Sequence, residues 1–197
     1  EQGTCLGHGI THVEKVAIDI GALVLIEEGE GATDARVRRL VFLAQLAGVL
    51  HDIRRTEKGH AERGAEEAKR LLASFPLVRE ECAAITDAIR NHEAFQPCRR
   101  VTGRTARLLS DALYDADKFR WGPDNFTDTL WAMVAPRDIP LHAIIPRFLS
   151  GMEGIGRIRD SFRTATGREY GPDFIDRGLA IGRRLHAELM AITRRNG

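Results

Sequence analysis

A histidine and an aspartate stand side by side at the end of a long apolar run. Leu40 to Leu50 (LVFLAQLAGVL) holds one polar side chain, Gln45, and leads straight into His51 and Asp52. A carboxylate buried without a partner costs several kcal/mol or changes its pKa. A divalent cation is the simplest partner, and imidazole beside carboxylate suits Mn, Fe, Zn, Co or Ni. Such a site needs more ligands, and three other segments each offer one on an apolar stripe. His12 opens a stretch in which Val16, Ile20 and Leu23 recur at helical spacing. His92 closes one with Cys82, Ile85, Ala88 and Ile89, and Asp117 shares a stripe with Ala106, Leu109 and Leu113. Singly, each has a plainer reading: a hydrogen-bonded core or boundary histidine, or a turn aspartate in a segment that also holds Asp111 and Asp115. Their joint occurrence points to metal chemistry, because helical proteins build metal sites from inward side chains of converging helices.

The elements that carry these residues read as helices throughout. Thr11 with Glu14 forms a capping box for the first, on whose apolar side His12 lies. Glu27 to Thr33 (EEGEGAT) is a loop, after which Asp34 or Thr33 caps a second helix that runs to His51 and Asp52. Ile53 to Gly59 (IRRTEKG) is a basic loop, and His60 begins a helix that continues through Leu72 towards a break at Pro76. Val78 to His92 and Thr105 to Phe119 are helical, separated by Pro97. Gly122 to Asp124 is a turn before a helix over Phe126 to Val134, and Pro136 to Pro140 is a further break. Leu141 to Phe162 is helical through Pro146. Gly167 to Pro172 is a turn, with Asp173 capping a last helix to about Thr193. No stretch alternates as a strand would, and there is no repeat or linker. The expectation is an all-α protein of about seven or eight helices, one domain over residues 1–197 packed around a buried site.

Composition narrows the function classes. At 197 residues one domain is the default, and 43% hydrophobic with 29% charged is ordinary for a globular chain. A net charge of +1 gives no support to a nucleic-acid or anionic-membrane partner. The arginines at 157, 159, 168, 183, 184, 194 and 195 are interleaved with Asp160, Glu169, Asp173, Asp176 and Glu188, a mixed-charge surface. Cys5, Cys82 and Cys98 are far apart without a C-x-x-C, which suggests a reducing compartment and no disulfide framework. No run is long enough to span a membrane and no signal peptide is visible, so a cytoplasmic location is expected.

The ordered set of residues resembles the HD-domain superfamily of metal-dependent phosphohydrolases, whose pattern is H…HD…D. The matching stretches are Gly9 to Val16 (GITHVEKV), Leu50-His51-Asp52 and Tyr114 to Phe119 (YDADKF), with Gly59 to Ala65 (GHAERGA) and Ala88 to Glu93 (AIRNHE) between them. The likeness covers about residues 8–120, with a helical extension over about 125–195. It implies an HD-type helical domain with metal ligands at His12, His51, Asp52 and Asp117, the last matching the family's A-D-[KR] pattern. Asp115, about 200° around the helix from Asp117, is then a solvated or capping carboxylate. His60 and His92 fall where some members hold substrate phosphate or a second metal. Glu93 follows His92 where cyclic-dinucleotide phosphodiesterases have a second histidine, and His60 comes only eight residues after Asp52, closer than in di-iron oxygenase members. One divalent ion (Mn, Fe, Co, Ni, Zn or Mg) is therefore expected, a second being left open.

The implied reaction is hydrolysis of a small phosphate ester or nucleotide by a metal-activated water. Asp52, with the ligands around it, would orient or deprotonate that water. Lys58, Arg54, Arg55, His60 and His92 are the candidates for holding phosphate, with a solvated loop as the plainer reading of the two arginines. Lys118 is expected to face solvent. Phe119, Trp121, Phe126 and Trp131 could stack a nucleobase, but core packing is the simpler expectation. Two alternatives belong to other classes: an HD-fold di-iron oxygenase using His60 and His92, and a non-catalytic metal protein that binds a nucleotide.

Overall fold

The architecture follows from one helix that has no solvent side along half its length. In the computed structural model, which describes residues 9–29, 34–135 and 138–196, α5 (Arg104–Phe119) is buried at every position from Ala112 to Phe119. A helix covered all round is a core element, yet this one carries Asp115, Asp117 and Lys118 into the interior. Around it lie α1 (Ile10–Glu28), α2 (Ala35–Leu50), α4 (Arg79–Asn91) and α8 (Ala165–Asn196). α3 (His60–Leu72) packs on α4, and α7 (Leu141–Gly156) on α8. Between α5 and α7 the chain makes one π-helical turn, Asn125–Thr129, that continues into the short α6 (Leu130–Val134). All regular elements among the described residues are helical, as expected, with eight α-helices and that single π turn. None of these helices is long and apolar enough to cross a membrane.

The stripes read from the sequence become the core. Val16, Ile20 and Leu23 of α1, Leu40 and Leu43 of α2, Ile85 and Ile89 of α4, and Leu109 and Leu113 of α5 form one buried cluster. α3 turns the small residues Ala61, Gly64, Ala65 and Ala68 inward, which suits close helix packing. α1 and α2 touch most closely at Gly48, where an added Cβ would lie 2.8 Å from the Ala17 Cα. That atom is backbone and has no rotamer with which to yield. Gly48→Ala is therefore expected to lower stability by about 1–3 kcal/mol through overpacking. A urea midpoint equal to that of the parent would show that the two helices separate without cost.

Several element boundaries differ from the sequence reading, each for a physical reason. Thr11 does not cap α1: the helix begins at Ile10 with Gly9 as N-cap and no side-chain cap, which places Thr11 inside the first turn. Asp34 does cap α2, its side chain accepting from the Arg36 N–H at 2.7 Å, while Thr33, Cys5 and His8 lie outside the described residues. α7 stops at Gly156 rather than Phe162, followed by turns over 157–160. The last helix begins at Ala165, not Asp173, and runs straight through Pro172.

That early start is explained by one local cap and by groups far away in sequence. The Thr164 hydroxyl accepts from the Gly167 N–H at 2.8 Å, and Glu27 of α1 accepts from the Thr166 N–H at 2.7 Å. Asp115 of α5 accepts from the Arg163 N–H at 2.8 Å and from both the N–H and the hydroxyl of Thr164 at 2.7 Å. The donors that a helix start leaves over are thus met by a local hydroxyl at Gly167 and a tertiary carboxylate at Thr166. Asp115 is the capping carboxylate of the two expected alternatives, and it is fully buried.

Candidate metal centre

Three segments bring the polar atoms of four side chains to one point beside the core. α1 supplies His12 from its first turn, the end of α2 supplies His51 and Asp52, and the last turn of α5 supplies Asp117. All four are buried, His51 completely. His12 Nε2 lies 3.3 Å from His51 Nε2, 3.3 Å from Asp117 Oδ1 and 3.8 Å from Asp52 Oδ2. His51 Nε2 is 3.4 Å from the same Asp52 oxygen. On the other side of that carboxylate, Oδ1 lies 3.4 Å from His92 Nε2 and 3.8 Å from His60 Nε2. The six residues therefore form one cluster with the Asp52 carboxylate across its middle.

Two backbone contacts decide how the histidines present themselves. His51 Nδ1 lies 2.7 Å from the Gly48 carbonyl, and His92 Nδ1 lies 2.6 Å from that of Ile89. A carbonyl only accepts, so each ring carries its hydrogen on Nδ1. In the neutral ring the Nε2 lone pair then faces the cluster, the orientation in which metal-binding histidines are held. Lone pairs from imidazoles aimed at carboxylate oxygens repel unless a cation or a proton lies between them. His12, His51 and Asp117 offer three ligand atoms within 4.8 Å of one another, and so do His51, Asp52 and His92. Nitrogen and carboxylate oxygen at this spacing fit a divalent transition ion or magnesium.

Electrostatics follow the same geometry. Burial works against charge on the His51 ring, but Asp52, helped by Asp117, outweighs it and raises the His51 pKa. Burial would also push Asp117 up; the Lys118 ammonium, with His12 and His51 beside it, holds the carboxyl well below the usual carboxylate range. His60 moves the other way: burial lowers its pKa, and His92 and Arg55 add to the effect. A metal must displace the proton that Asp52 helps keep on His51, so metal affinity is expected to weaken as pH falls. Titration calorimetry in buffers of different ionisation heat checks this; an uptake that releases no proton at any pH would contradict it.

The remaining candidates divide. Arg55 reaches the cluster, its guanidinium NH1 donating to His60 Nε2 at 2.9 Å and its Nε lying 3.9 Å from Asp52 Oδ2. Arg54, its neighbour, turns away and pairs with Glu57 at 3.1 Å and Glu67 at 2.8 Å. Lys58 is exposed on the loop before α3. The structure thus brings His12, His51, Asp52, His60, His92, Asp117 and Arg55 together and leaves Arg54 and Lys58 outside.

Lys118 corrects the expectation of a solvent-facing side chain. It is 2% exposed, its Nζ donates to Asp117 Oδ2, and it lies 5.1 Å from the Tyr114 ring and 5.4 Å from the Trp121 ring. The signal was in the sequence: aromatic residues at i−4 and i+3 cover one helical face. Phe119 and Phe126 are core residues, as expected, whereas Trp131 is 38% exposed and Trp121 half-buried.

A cavity of about 160 Å³ opens beside the cluster, with Arg55, His92, Glu93, Asp117, Lys118 and Trp121 in its wall. Comparison with models of protein families, with curated proteins and with solved structures gives no match.

Proposed function

We propose that the protein is a metal-dependent phosphohydrolase of the HD type, cleaving a phosphate ester or nucleotide. The observation that carries the reading is the pairing of two features in one place. Two imidazoles fixed through Nδ1 sit with two buried carboxylates, and the cations of Arg55 and Lys118 line the cavity next to them. His12, His51, Asp52 and Asp117 would hold the ion. When bound, such an ion polarises a phosphoryl oxygen and acidifies a water.

The chain's own groups do the rest. Asp52, wedged between the two histidine pairs, is placed to orient the water and take its proton. Arg55 and Lys118 bind the phosphate and stabilise the charge that builds on it. The lowered pKa of His60 keeps that ring neutral, with Nε2 accepting from Arg55, so His60 fixes the guanidinium that faces the phosphate. Reconstitution with Mn, Co, Ni or Mg and assay of phosphate release from nucleotides and an aryl phosphate tests this reading. No release with any metal would end it.

A second reading has one observation in its favour. Asp52 turns Oδ2 to His12 and His51 and Oδ1 to His92 and His60, so two ions could share this carboxylate, as a di-iron oxygenase would require. Against it, the Arg55 guanidinium stands on His60 Nε2. Iron content and oxygen consumption separate the two.

A further inference from the structure

Beyond the small polar cavity lies a second, larger one of about 530 Å³, and the two have Arg55 and Trp121 in common. His12 also lines the larger one, so it opens directly onto the ligand cluster. Its walls come from the π turn, α6 and α7, and their character is apolar: Leu130, Met133, Ile144, Phe148, Met152 and Ile155. Phe148, Met152 and Ile155 are buried at its floor.

The polar groups in that wall are few. Arg120 is held by Asp19 at 2.6 Å and Asp124 at 2.8 Å. Arg147 is exposed and so stands at the rim. Asn125 and Thr129 are the uncharged polar side chains. Recognition of a nucleobase rests on convergent hydrogen bonds, and sites that have them discriminate strongly through them. An apolar chamber of this size instead rewards burial of hydrocarbon, at about three- to fourfold in affinity for each methylene.

We infer that the substrate is a phosphate monoester of an apolar alcohol. Its phosphate sits in the small cavity by Arg55 and Lys118, and its alkyl or aryl group lies in the chamber between α6 and α7. The inference rests on the phosphohydrolase reading and names its substrate class. The reaction balances simply. Water adds its oxygen to phosphorus, the bond between phosphorus and the ester oxygen breaks, and that oxygen leaves with a proton as the free alcohol beside inorganic phosphate. Arg55 and Trp121, common to both cavities, mark where the ester oxygen lies.

The test uses the full chain carrying Trp131→Phe, which leaves Trp121 as the single tryptophan. Its fluorescence is followed on titration with ethyl, butyl, hexyl and octyl phosphate and with adenosine monophosphate, magnesium being present. Binding is expected to tighten about three- to fourfold per methylene, with octyl phosphate at least about tenfold tighter than the nucleotide. Ile144→Asp should flatten the series. A flat series in the parent, or a nucleotide bound more tightly than octyl phosphate, overturns the inference, and neither depends on how the variant folds. Phosphate release from the same compounds separates this proposal from the reading beneath it. Release from the nucleotide but not from octyl phosphate overturns the inference alone. Binding that depends on chain length with no release from any compound overturns hydrolysis and supports the chamber as a ligand site.

Discussion

His51→Ala is expected to abolish metal retention and, on the proposed phosphohydrolase reading, phosphate release with it. His51 belongs to both ligand groups of the cluster and is the fully buried ring whose Nδ1 is fixed by the Gly48 carbonyl. Its loss removes an oriented nitrogen and leaves a void that water can fill but that cannot replace a ligand of the right geometry. Loss of an outer-shell partner alone typically costs about 10–100-fold in metal affinity or activity, so removal of a ligand common to both groups should cost at least about a thousandfold in rate. Asp52→Ala is expected to match it, since the proposed mechanism uses Asp52 both to bind the ion and to move a proton. Metal content by elemental analysis after dialysis, read beside phosphate release, checks both. A His51→Ala protein that keeps stoichiometric metal and activity would put the centre elsewhere in the fold.

Asp117→Ala should strongly destabilise the metal-free protein, by about 3–5 kcal/mol. Asp117 and Lys118 are 5% and 2% exposed and form an ion pair in the interior. Removing one charge strands the other, and the ammonium then rests against the Tyr114 and Trp121 rings. The ring contacts are worth about 0.5–2 kcal/mol, too little to replace a carboxylate. The informative comparison is the double variant Asp117→Ala/Lys118→Met. It removes more of the native side chains yet should unfold later than Asp117→Ala alone, because no uncompensated charge remains inside. Urea midpoints in the presence of a chelator decide the matter. A double variant no more stable than the single one would mean that the cost of Asp117→Ala is lost packing.

How far the site was legible depended on whether a regular element presented each residue. His12 and Asp117 stood on apolar stripes of long helices, where spacing alone gives direction, and both reach the cluster. Arg54 and Arg55 follow Asp52 in a stretch of turns, where spacing gives none; one faces Glu57 and Glu67, the other Asp52 and His60. Lys118 lies inside rather than facing solvent because Tyr114 and Trp121 cover its side of the helix. The start of α8 was out of reach for a different reason. Thr164 caps it locally, but Glu27 and Asp115, which hold the rest of that corner, lie some 139 and 49 residues before the donors they satisfy, and no local pattern records a partner at that distance. The chamber was equally hidden, since its lining is spread over the π turn, α6 and α7 and only assembles when they fold together.

Asp115 and Asp117 lie about 200° apart around α5. One grips the backbone at the start of α8, and the other faces His12 from the opposite flank. A cylinder fastened at two opposed points cannot rotate about its axis. The Asp115 contacts therefore act as a torsional brake on α5, and they govern where a carboxylate two residues further on is aimed. On this view the C-terminal helix, which contributes none of the clustered side chains, sets the angular alignment of the histidine–aspartate cluster. Loosening its first turn should detune the site without touching a ligand.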